Sequence, residues 1–374
     1  MKYTISKTSE TPSYLQLYHQ LRTDITKGHY GYDEKLPSKR LLAQETGTSV
    51  ITVEHTYDIL RDEGYIDTKE RSGYFVTYKP GDFFSAPEET LKPQPLASAY
   101  KTTTITPEED FPFTVFAKTM RNVITKYGKD LYIKSPNLGS PVLQKSLCRY
   151  LARSKGIEVK PEQIVIGSGA EYLYGLIVQL LGWENIEYAI EDPSYKQILS
   201  VYTANGVKCD KLKMGTDGIL SSELAETKAK VLHVTPFRSY PTGITASASK
   251  RAEYIAWAQE RKGFIIEDDF DSEFTISSKH EDTLFSLEPT ETVIYLNTFS
   301  HTIAPSMRIG YMVLPSHLVD LFIKKIGFYS CTVPVFEQYL LAELINTGDF
   351  ERHINRVRRI RRTKGNATIP SGKR

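Results

Sequence analysis

The stretch Leu36–Tyr65, LPSKRLLAQETGTSVITVEHTYDILRDEGY, leaves a folding chain few choices. Apolar residues recur at helical spacing in two short blocks, Leu41-Leu42-Ala43 and Val53-Tyr57-Leu60. Between them stand the breaker Gly47 and Ser49, a residue type that caps helix N-termini, so the stretch reads as a helix-turn-helix. Upstream, Leu15, Leu17, Leu21 and Ile25 fall within one amphipathic helix ending near Gly28, a third core member that packs rather than touches DNA. Downstream, the β-rich runs Tyr65–Thr68 and Tyr74–Thr77 flank a turn containing Gly73, which predicts a hairpin wing. Residues 1–78 are thus expected to form a winged DNA-reading domain.

The chain has 374 residues, so a large second body must follow. Its hydrophobic content of 40% supports real cores, and a net charge of only +2 means that any affinity for nucleic acid comes from a local patch. Cys148, Cys209 and Cys331 are scattered without metal spacing and odd in number, which fits packing residues in a reducing compartment. No metal site is expected. The N-terminus MKYTISKTSE has no apolar core or cleavage site, and no run of about 18 apolar residues occurs, so the expected location is the cytoplasm, with no membrane partner.

Within the reader, Ser38 is placed to cap a helix whose first-turn amides can meet a phosphate. The helix starting at Ser49 would enter the major groove, making Val50, Ile51, Thr52 and His55 candidates for bases and backbone. This domain resembles the GntR superfamily of winged-helix repressors. The pattern Leu-Pro-Ser-x-Arg, then Ser-Arg-x-Thr-Val, then a Gly-rich wing is matched at Leu36, Pro37, Ser38, Arg40, Ser49, Thr52, Val53 and Gly73. The resemblance implies a DNA-facing set of Ser38, Arg40, Ser49, Val50, Thr52, His55, Arg71 and Gly73 on a double-stranded operator. Val50 stands where the family usually carries an arginine. A missing bidentate contact costs on the order of 1–3 kcal/mol, so either the site read differs or binding is weaker unless Arg40, His55, Lys69 or Arg71 compensates.

Residues 79–110 are polar, Pro-spaced and without periodicity, and read as a flexible tether. From Phe111, helical periods alternate with short β-rich runs: Gln163–Ile166, Ile186–Ile190, Val231–Val234, Phe264–Ile266 and Val293–Leu296. That alternation predicts an α/β domain with a mostly parallel sheet and ligand groups at strand ends. The residues after those runs carry chemistry. Gly167-Ser168-Gly169-Ala170-Glu171 opens a helix whose amides can hold a phosphate, and Tyr195 offers an aromatic plate. Asp268 is a strand-end carboxylate suited to a protonated heterocycle nitrogen. Thr298, Ser300 and Arg308 combine hydroxyls with a cation.

In order and spacing the pieces resemble fold-type I pyridoxal-phosphate aminotransferases fused to a GntR head, the MocR/GabR-like regulators, from about residue 12 to about residue 362. The resemblance implies a DNA-binding head, a body that binds pyridoxal 5'-phosphate and senses a small amine or amino acid, and a homodimer. It puts Gly169, Ala170 and Glu171 at the phosphate, Tyr195 near the ring, Asp268 at the pyridine nitrogen, and Thr298, Ser300 and Arg308 around the phosphate. Three departures stand out. His301 occupies the position of the Schiff-base lysine, and an imidazole forms no stable imine, so cofactor attachment is expected to be non-covalent if it binds. Phe270 replaces the usual tyrosine. After Arg362 the helical pattern stops, so residues 363–374 read as a disordered tail and the domain, 111–362, as truncated relative to the family. The late basic run Arg352, Arg356, Arg358, Arg359, Arg361, Arg362 and Lys364 reads as a solvated helix face.

These readings predict a sequence-specific DNA-binding transcription regulator with a degenerate aminotransferase-like sensor and dimerisation domain, without catalytic residues. Two alternatives stay open: a working aminotransferase with an accessory DNA-binding head, and a truncated non-functional descendant.

Overall fold

The computed structural model describes residues 3–6, 9, 11–69, 72–79, 110–182, 184, 186–275, 282–287 and 292–367, the last four by their backbone only. The chain divides into two compact units, 1–100 and 101–374.

In the first unit, α1 (Ser13–Thr26), α2 (Lys39–Thr46) and α3 (Val50–Asp62) precede a two-stranded antiparallel wing, β1 (Ile66–Lys69) and β2 (Gly73–Val76). The caps sit where the sequence places them: Leu41 N–H donates to Ser38 Oγ at 3.3 Å, and Thr52 N–H to Ser49 Oγ at 3.0 Å. Leu17, Leu21, Leu42, Val53, Tyr57 and Leu60 are buried together, so the three helices hold the reader around one small core. Arg71 and nearly all of the tether expected at 79–110 lie outside the described residues.

The second unit is built on a seven-stranded sheet. In chain order its strands are β3 (Ile164–Gly167), β4 (Glu187–Asp192), β5 (Lys208–Lys213), β6 (Val231–Val234), β7 (Phe264–Asp268), β8 (Val293–Thr298) and β9 (Gly310–Val313). They lie side by side as β3-β9-β8-β7-β6-β4-β5, with β9 antiparallel to both neighbours and the other pairings parallel. The five expected strand runs all appear. Two further strands had weak signals: β5, KCDKLK, is an edge strand whose three lysines are exposed, and β9 is only four residues long.

Side chains alternate across the sheet and make two cores. Ile265, Val293, Tyr295, Tyr311 and Val313 face α5 (Pro141–Lys155), α9 (Ala248–Arg261), α12 (Val335–Asn346) and α13 (Asp349–Ala367). Ile266, Ile294, Leu296 and Met312 face α6 (Ala170–Leu181), α7 (Lys196–Ala204) and α11 (Ser316–Ile326). Among the described residues the remaining α-helices are α4 (Phe113–Tyr127), α8 (Ser221–Glu226) and α10 (Leu284–Leu287).

Two expectations for the C-terminal part are corrected. Helix α13 does not stop at Arg362 but runs to Ala367, so the backbone of Thr363-Lys364-Gly365-Asn366-Ala367 continues the helix despite its glycine. Its basic run is not simply a solvated face. Arg358 Nε donates to the Glu273 carbonyl at 2.6 Å, Arg356 reaches the Asp110 carbonyl, and Arg361 lies over the Phe274 ring at 4.6 Å. Arg352, Arg359 and Arg362 remain exposed.

Candidate functional site

The helix that begins after β3 organises the site. Gly169 precedes α6 with φ +94°, and a Cβ there would lie 2.8 Å from Arg308 Nη2, so the guanidinium can approach this backbone only because position 169 has no side chain. Arg308 is ion-paired with Glu171 (Nη2 to Oε2, 2.7 Å), and the Tyr195 hydroxyl lies 3.4 Å from Glu171 Oε1. Gly169, Ala170, Glu171, Tyr195 and Arg308 are thus brought together at an N-terminus whose free amides and dipole favour an anion.

One helical turn along α6, Tyr174 shares the face of Glu171 and donates its hydroxyl to Asp268 Oδ2. Asp268 ends β7 on the α6 side, buried, with His233 of β6 beside it at 3.6 Å (Nε2 to Oδ2). His233 is itself held by the Tyr202 hydroxyl at 2.7 Å. Asp268 Oδ1 has no hydrogen-bond partner among the described residues, although it is fully shielded. A buried carboxylate oxygen left open is costly unless a donor reaches it, and Asp269 Oδ1, Asp271 Oδ1 and Glu273 Oε2 are left open in the same way. Burial pushes the Tyr174 phenol well above its ordinary range, with the Asp268 charge acting the same way, so Tyr174 stays a donor.

Thr298 is buried at the end of β8, and the Ser300 hydroxyl is turned to its own loop. Thr298 N–H meets Asn297 Oδ1 at 2.6 Å, and Ser300 Oγ donates to the Met307 carbonyl at 3.3 Å. His301 faces Asp271 (Nδ1 to Oδ1, 3.1 Å), with the rings of Phe270 and Phe274 edge-on to its own. Asp271 also meets Arg238 (Nη1 to Oδ2, 3.1 Å), and Arg361 stands 4.0 Å away. Sequence reasoning passed over Tyr174, His233, Arg238 and Asp271. The available signal was parity: His233 and Asp268 point to the same sheet face, and position 174 lies one turn after 171. Among the described residues no cluster of His, Cys, Asp or Glu could hold a metal ion, and no helix is long and apolar enough to cross a membrane.

In the head, Val50 and Ile51 are exposed at the start of α3 beside the capping pair Ser49 and Thr52, and His55 stacks on Tyr14 with ring centroids 4.2 Å apart. Arg40 is exposed on α2, and Gly73 opens β2.

The family model for bacterial regulatory proteins of the gntR family matches residues 13–76, and that for class I and II aminotransferases matches residues 108–366. An uncharacterized HTH-type transcriptional regulator of Bacillus subtilis, YdeL, is 34% identical over 96% of this chain and 79% of its own length. The probable rhizopine catabolism regulatory protein MocR of Rhizobium meliloti is 28% identical over 95% of this chain and 76% of its own. The chain belongs to the MocR-type transcriptional regulators. As in others of that kind, a DNA-binding head is joined to an aminotransferase-like body. The body's fold is that of fold-type I aminotransferases. The crystal structure of an archaeal alanine:glyoxylate aminotransferase aligns with a TM-score of 0.61 at 25% identity, over 66% of this chain and 63% of that one. The chain therefore spans less than two thirds of that enzyme's length.

Proposed function

We propose that this MocR-type regulator binds its operator as a cytoplasmic homodimer. Its body holds a pyridoxal 5'-phosphate-type ligand without a covalent bond and responds to a small amine or amino acid, with no transamination. The observation that carries the reading is the shielded, unpartnered Asp268 Oδ1 close to the start of α6. The residues fit the group. Asp268 would accept from the ring nitrogen, the α6 amides and Arg308 would take the phosphate, and Tyr195 would lie against the ring. When bound, the group supplies an aldehyde able to condense with an amine, and this chain offers no lysine at position 301 to compete for it. His301 cannot replace that lysine as imine partner, which supports sensing over turnover. Beside it, Asp271 supplies an acceptor and Arg238 a cation, complementary to the two charges of an amino acid.

A spectral titration of the full chain with pyridoxal 5'-phosphate tests the proposal. Saturable binding that borohydride does not fix is expected. Asp268→Asn should weaken it roughly 10- to 100-fold, since a hydrogen bond to a charged group contributes about 1.5–3 kcal/mol. Glu171→Gln should tighten it by freeing Arg308, and His301→Lys should add an imine band. A borohydride-fixed imine in the unaltered chain, or affinity indifferent to Asp268, overturns the reading.

A further inference from the structure

The first turn of α3 carries a surface that a DNA reader does not ordinarily expose. Ile51 is 76% exposed and Val50 42%, both apolar, on the helix that a helix-turn-helix lays in the major groove. Several polar side chains of the same helix are engaged within the head. Thr52 Oγ1 bonds Ser49 Oγ at 2.8 Å, Glu54 holds Lys39 at 2.5 Å, Thr56 is buried with its hydroxyl on the Tyr14 carbonyl, and Asp58 pairs with Arg61. His55 lies beyond the first turn, exposed and stacked on Tyr14. What the leading turn offers to base edges is therefore chiefly hydrocarbon.

The major groove displays one apolar feature, the C5-methyl group of thymine. Arginine, the usual partner of guanine O6 and N7, has no counterpart in this turn, because Val50 and Ile51 have neither donor nor acceptor in their side chains. We infer that Val50 and Ile51 read thymine methyl groups, so that each operator half-site is specified at these positions by thymine rather than guanine. Affinity still draws on phosphate contacts from cations outside this turn, such as exposed Arg40, while discrimination comes from burying methyl groups against the two side chains.

The test uses the full chain and duplex DNA. Operator sequences are first enriched from a random duplex library. The recovered half-site is then resynthesised with uracil in place of each thymine in turn, which deletes only the methyl group and leaves base pairing intact. At one or two positions the native chain should bind uracil-containing duplex about fourfold more weakly per methyl group. Ile51→Ala or Val50→Ala should remove that penalty at one of those positions, and Val50→Arg should shift the enriched base there toward guanine. Because the decisive change is made in the DNA, a poorly folding variant does not obscure the answer. Uracil tolerated at every thymine, or guanine enriched by the native chain where α3 makes contact, overturns the inference. A chain that enriches no sequence at all overturns it together with DNA reading.

Discussion

Asp268 and Asp269 are neighbours at the end of one strand, yet they sit in opposite electrostatic surroundings. Asp269 faces α5, where Lys155 Nζ lies 2.9 Å from Oδ2 and the Tyr295 hydroxyl donates to the same oxygen at 2.7 Å. The network extends to Glu273, which lies 3.6 Å from Lys155 and accepts from Asn297 Nδ2 at 2.8 Å. Burial acts to depress the Lys155 ammonium, but Asp269 and Glu273 outweigh it and hold its pKa above the ordinary lysine range. Asp268 faces α6, with the Tyr174 hydroxyl and His233 at one oxygen and no lysine or arginine paired with it among the described residues. The second oxygen of each aspartate is shielded and without a hydrogen bond. One face of the strand end carries a lysine counter-charge, and the other does not. A buried carboxylate indicates a binding site only when the fold has not already supplied its partner.

The largest expected effect breaks the self-contained side. Lys155→Met leaves Asp269 and Glu273 buried without their cation and should cost about 3–5 kcal/mol in denaturant unfolding. A loss under about 1 kcal/mol would show that the network is stabilised by something other than the lysine.

Glu191 provides the next effect. It is buried, with Ser239 Oγ donating to it at 2.5 Å and the Thr235 amide at 3.2 Å, and burial pushes its pKa up to about 8. The folded chain therefore keeps a proton that the unfolded chain releases near 4.5, so this contribution to stability is complete below about pH 4.5 and lost as pH rises through about 8. Glu267, also raised to about 8, acts with the same sign. Glu191→Gln should flatten part of the decline in melting temperature between pH 5 and 9 and exceed the parent at pH 9 by roughly 2–3 kcal/mol. Identical pH profiles would show that Glu191 ionises freely in the fold.

The smallest effect sharpens the contrast between the two faces. Tyr295→Phe and Tyr174→Phe each remove a donor from a buried carboxylate, at roughly 1.5 kcal/mol of stability. Only Tyr174→Phe should also change the affinity for pyridoxal 5'-phosphate in the spectral titration. Equal effects of the two substitutions on that affinity would mean that the faces are not functionally distinct.

Local pattern was enough to give much of the molecule. The caps Ser38 and Ser49, the three-helix reader with its wing, and five strands followed by polar residues follow from periodicity and capping, which act over a few residues. The parts that escaped depend on neighbours distant in sequence. Strand β5 gains its place by pairing with β4, β9 by lying antiparallel between β3 and β8, and the arginines of α13 find partners on segments far up the chain.

The chemical inventory was likewise fixed by residue identity: a histidine where an imine-forming lysine would stand, and a valine where a base-reading arginine would stand, because no fold can give a side chain atoms it lacks. Tertiary structure alone decided which of two adjacent aspartates meets a lysine and which meets a tyrosine and a histidine, and that His301 faces Asp271. The physical reason is that a strand sends successive side chains to opposite faces, and what waits on each face is set by helices packed there from elsewhere in the chain.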